Sequence, residues 1–171
     1  MSGVSPDTPD ASPPSLSARL LSLVRDLDGI GAAYMVVGAM AVAMWGRPRA
    51  TAALDSTVLS DEAGLDAPAR AVSQRGVRID DAWLNSNPLL RGQHVRLTGP
   101  GAIIDLMRPR DDHEMAAIAR RRRLEAEGQS VAVVAPEGSD PHEAQGGAAA
   151  RLGLSAELGW VLDAASGADD D

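Results

Sequence analysis

The sequence predicts one α/β (α+β) domain, on three observations. Its 171 residues are enough for one hydrophobic core and too few for two ordinary domains. Helical and strand-like apolar patterns alternate along the chain. Two apolar runs, 94–97 and 102–107, flank Gly99, Pro100 and Gly101 in the manner of a hairpin.

Residues 1–15 are rich in Pro, Ser and Asp and nearly free of large apolar side chains. Such a segment cannot offset the entropy of ordering and reads as a disordered leader. From Leu16, the residues Leu20, Leu21, Val24 and Leu27 recur at helical intervals, and Ser15 can cap the helix they predict. Gly29 and Gly31 end it. The apolar run 33–37 then reads as a buried strand closed by Gly38, and 39–45 as a short helix closed by Gly46 and Pro48.

A strand is expected over 53–59. Ser60, Asp61 and Glu62 can open a helix reaching about residue 74, and 77–79 suits a short strand. After the hairpin, 111–128 favours helix and 131–134 favours strand. The domain is expected to span 16–137. Beyond it, 138–171 is a polar, degenerate segment in which 151–162 could form a last short helix before an acidic tail.

The absence of Cys excludes disulfides and thiolate metal sites. No apolar run approaches the roughly 20 residues of a membrane span, and the N-terminus lacks the basic start and apolar core of a signal peptide. A soluble cytoplasmic protein without a membrane partner is expected. The net charge of −8 argues against wrapping nucleic acid by bulk electrostatics. All 16 Lys and Arg positions are Arg, so any role usually taken by Lys falls to Arg.

The chemistry-bearing stretch runs from Val37 to Asp55: a strand, a Gly at a helix start, a helix, Arg49 and Thr51 in a turn, then a strand carrying Asp55. A glycine lets a polyphosphate approach the backbone, and free N–H groups at a helix start favour anionic oxygens, so Gly38 and Ala39 form a candidate cradle. Acidic residues two apart on a strand share one face and could hold divalent ions against phosphates.

These residues resemble the nucleotidyltransferase superfamily signature, and Gly38, Ala41, Gly46, Arg49, Thr51 and Asp55 are similar to the AbiEii-like and minimal nucleotidyltransferase branch, which includes toxins of toxin–antitoxin pairs. The resemblance covers roughly 17–137. It implies a mixed sheet flanked by helices, with Asp105 as the third acid. It further implies Asp55 and Asp105 as catalytic Mg2+ ligands, and Arg49 and Thr51 as nucleotide-holding groups. The activity implied is transfer of NMP from an NTP to an RNA or protein hydroxyl, with an antitoxin protein as partner. Ala53 stands where the first Asp of the pair belongs, which predicts weak or absent transfer and residual nucleotide binding; a catalytically inactive nucleotide- or protein-binding module is the alternative.

Blander readings accompany each residue. Asp105 could lie on an exposed strand face, and Arg49 could pair with Asp55. The run Arg120 to Arg123 suits a solvated face better than an RNA path, and Trp45 and Trp83 suit packing better than base stacking. His94, His113 and His142 lack metal-ligand spacing and default to structural roles.

Overall fold

The computed structural model describes residues 13–47, 50–60, 64–73 and 76–136, together with the backbone of 151–152. Helix α1 (Leu16–Gly29) begins where the Ser15 hydroxyl accepts the Ala18 N–H at 3.2 Å, satisfying one of the free donors of the first turn. Its apolar stripe, Leu16, Leu20, Leu23, Val24 and Leu27, is buried. Gly31, at φ +68°, turns the chain into β1 (Ala33–Val37). Helix α2 (Gly38–Met44) follows without a linker, and β2 (Ala53–Leu59) returns antiparallel to β1.

Helix α3 (Asp66–Ser73) and the short strand β3 (Arg78–Ile79) come next, then α4 (Asp81–Ser86), a 3-10 turn (Pro88–Leu90), β4 (His94–Gly99), β5 (Ala102–Met107) and α5 (Asp112–Ala119). Strands β6 (Arg122–Ala126) and β7 (Gln129–Val133) end the main body. The sheet order is β3-β4-β5-β2-β1-β7-β6, with the two-residue β8 (Arg151–Leu152) beside β6. β2 runs parallel to β5 and β1 parallel to β7, while the remaining pairs within 33–133 are antiparallel. The architecture is therefore mixed α/β in a single domain, as the alternating patterns predict.

Strand alternation divides the sheet into two faces. Tyr34, Val36, Leu54, Val58, Ile104 and Leu106 join the α1 stripe and Leu65, Ala69 and Val72 around α3 in the main core. The other face carries Met35, Val37, Ala53, Asp55, Thr57, Asp105 and Met107, and α5 packs over part of it through β1 and β2.

Several expectations are corrected. Residues 122–126 form a strand, not the end of a helix over 111–128: α5 stops at Ala119, and β6 pairs with β7 across a tight turn at Glu127 and Gly128. Both turn residues have positive φ, 49° and 79°, the primed geometry that matches strand twist. The helix expected from Ser60 begins only at Asp66, with residues 61–63 outside the described residues. Residues 151–152 pair as a strand rather than opening a helix. The leader through residue 12 and residues 137–150 and 153–171 of the C-terminal segment lie outside the described residues. Among the described residues, no helix is long and apolar enough to cross a membrane.

Candidate functional site

Register brings the two candidate acids together. On the parallel strands β2 and β5, Asp55 is the direct neighbour of Asp105, and on the antiparallel side Asp55 faces Val37 at the end of β1. Gly38 follows Val37, with φ +69°. A Cβ added there would stand 2.3 Å from Asp55 Oδ2. The glycine is needed both for its left-handed backbone and because the Asp55 carboxylate occupies the space over its α carbon.

Asp105 is buried, contrary to the exposed-strand reading. Alternation does place it opposite its apolar neighbours, but that face is occupied by polar partners rather than water. Arg96, its cross-strand partner in the β4–β5 hairpin, donates Nε to Oδ1 at 2.9 Å and Nη2 to Oδ2 at 2.8 Å. His94 Nε2 lies 2.8 Å from Oδ1 on the same side. Trp83 backs both partners: the Arg96 guanidinium sits 4.5 Å from its ring centroid, and the His94 ring lies 4.6 Å away, tilted by 53°. Trp83 is itself positioned by α4, whose first turn is capped by Asp80 accepting the Trp83 N–H at 2.8 Å.

The two carboxyls respond in opposite directions. Burial pushes Asp105 up, but the hydrogen bonds from Arg96 and His94, with their charges, outweigh it and hold the group below the usual carboxylate range. Asp55 is raised, first by burial and then by the charge of Asp105, with His94 and Arg96 only partly compensating. Arg96 is raised chiefly by its bond to Asp105.

The other candidates are placed as follows. Gly38 and Ala39 line a cleft of about 790 Å³ together with Ala41, Val42, Trp45, Arg47 and residues 134–136. Trp45 stands at its rim, 36% exposed, its indole N–H donating to the Val134 carbonyl at 2.9 Å. The Thr51 hydroxyl is engaged locally: it accepts the Ala53 N–H and donates to the Ala53 carbonyl, both at 3.1 Å. Arg49 lies outside the described residues, so its pairing with Asp55 does not enter the geometry. His94, Arg96 and Trp83 were not singled out as a unit by sequence reasoning.

A magnesium site at this position does not fit the residues present. Ala53 contributes a methyl group where the resemblance implies a carboxylate, and both oxygens of Asp105 are held by a guanidinium that already supplies the positive charge. Of these two carboxylates Asp55 alone has no side-chain hydrogen bond among the described residues, whereas a two-ion site needs several carboxylate oxygens to set near-octahedral coordination. Among the described residues, no group of three His, Asp or Glu is arranged to hold a metal ion. No family model and no curated protein matches the sequence.

Proposed function

We propose that this chain is a nucleotidyltransferase-like protein that binds a nucleotide and transfers NMP weakly or not at all. The observation that carries the reading is the pair Asp55 and Asp105, set side by side next to Gly38, with Asp105 clamped by Arg96 and His94. The juxtaposition supports descent from an enzyme with an acidic metal site. The clamp and Ala53 support its conversion to a fixed ion pair, since a buried carboxylate held by two donors gives up its lone pairs to the protein.

The cleft beside Gly38 supports retained binding. Its volume falls within the usual range of roughly 300–1,000 Å³ for small-molecule sites, its lining includes the partly exposed Trp45 for a base, and exposed Arg47 supplies a cation for phosphate. The same reading makes an RNA or protein acceptor and an antitoxin protein the partners to seek, in a cytoplasmic setting.

The test is transfer of label from α-labelled NTPs with magnesium or manganese onto cellular RNA and protein, run beside NTP binding measured by calorimetry. The native chain is expected to bind NTP without transferring label. Ala53→Asp combined with Arg96→Gln, which restores one carboxylate and releases another, is expected to raise transfer above the native background. Label transfer by the native chain equal to that of the double variant overturns the loss of chemistry. Failure of any NTP to bind overturns the nucleotide reading.

A further inference from the structure

A second cleft, of about 440 Å³, opens beside α5 on the sheet face that carries Met35 and Met107 and shares Val134 with the cleft beside Gly38. Its sheet side is largely apolar, with Met35 and Val37 from β1, Met107 from β5 and Val134, and Ala117 lines it from α5; Thr57, Gln93, His113 and Glu114 add polar groups. Its charged wall is uneven. Arg110 is committed to Glu114 one helical turn on, and His94 is committed to Asp105. Arg108 also lines the cleft, is half-buried, and its side chain makes no hydrogen bond or ion pair among the described residues. A partly desolvated guanidinium with no ion pair to a described residue favours an anion. Its planar fork matches a carboxylate, and an apolar wall favours a hydrocarbon body over a sugar or a second charge.

We infer that this cleft binds a small apolar monocarboxylate, with Arg108 pairing the carboxylate and Met35, Val37 and Met107 packing its hydrocarbon part. The site uses neither Asp55 nor Gly38 and stands independently of the nucleotide reading. Methionine suits such a floor because its flexible, polarisable side chain adapts to ligands of varied shape.

The experiment uses the full chain labelled at its methionine methyl groups, titrated with octanoate and, separately, with octanol. Octanoate is expected to shift Met35 and Met107 saturably while leaving Met40 and Met44, buried in the main core around α2, unmoved. Arg108→Gln should weaken octanoate by about tenfold, the equivalent of one charge-assisted pairing, and leave octanol unchanged. Ala117→Leu, which keeps Arg108 and fills the cleft, should block both ligands. Unmoved Met35 and Met107, equal octanoate affinity in Arg108→Gln, or undiminished binding in Ala117→Leu overturns the proposal. Displacement of octanoate by AMP also overturns it, by assigning the cleft to the nucleotide.

Discussion

Asp55 and Asp105 are neighbours in register on adjacent strands, and the protein treats their charges in opposite ways. Asp105 has a bidentate guanidinium, an imidazole and an indole arranged behind it; Asp55 has the α carbon of a glycine and no side-chain hydrogen bond among the described residues. Burial disfavours both ions; Asp105 is more than compensated, whereas Asp55 is compensated only in part. Two neighbouring carboxylates thus play different parts: Asp105 ties β5 to β4 through its ion pair with Arg96, while Asp55 sits beside Gly38 with its charge only partly offset.

The largest effect is expected from Arg96→Ala, which strips the buried Asp105 of its main partner. Loss of about 3 kcal/mol is expected, since breaking such a pair leaves an uncompensated charge, and denaturant unfolding measures it. Adding Asp105→Asn to that variant should recover part of the loss. Gly38→Ala should cost about 2 kcal/mol through left-handed strain and collision with Asp55. In an Asp55→Ala background its cost should fall to about 1 kcal/mol, the backbone component alone. Equal costs in the two backgrounds would separate Gly38 from Asp55.

Acid titration of stability sharpens the contrast further. The folded pKa of Asp105 is depressed, so its contribution is fully present above the ordinary carboxylate value of 3.8 and is lost as pH falls through the lower folded value. Asp55 has the opposite sign. Its folded pKa is raised, so ionising it destabilises the fold progressively as pH rises from 3.8 through the folded value. Asp105→Asn should therefore weaken the protein at neutral pH and flatten its acid unfolding. Asp55→Asn should stabilise it at neutral pH by less than about 1 kcal/mol, a partly screened interaction, with the gain vanishing below about pH 4.

Much of this arrangement was legible in the residues. The helical stripe from Leu16, the apolar run before Gly38 and the strand carrying Asp55 are strongly periodic, and the structure places all three where their patterns predict. The Arg96 clamp is legible too, in the register of the hairpin. Gly99 pairs with Ala102 across the two-residue turn, so each step back along β4 matches one step along β5 and brings Arg96 opposite Asp105. β6 was hidden for a different reason. Arg, Ala and Glu favour helix locally, and only pairing with Val131 and Val133 on β7, with the turn at Gly128, overrides that preference. α4 is short and has no buried residues, so it carries no apolar period to detect.

The most direct measurement is a carboxyl carbon NMR titration of Asp55 and Asp105 in the native chain, with and without millimolar magnesium. A structural ion pair predicts that Asp105 ionises below the ordinary carboxylate range and Asp55 above it, and that magnesium leaves the Asp105 resonance and its titration unchanged. Reversal of that order, or a saturable shift of Asp105 on adding magnesium, would contradict it and return Asp105 to the role of a metal ligand.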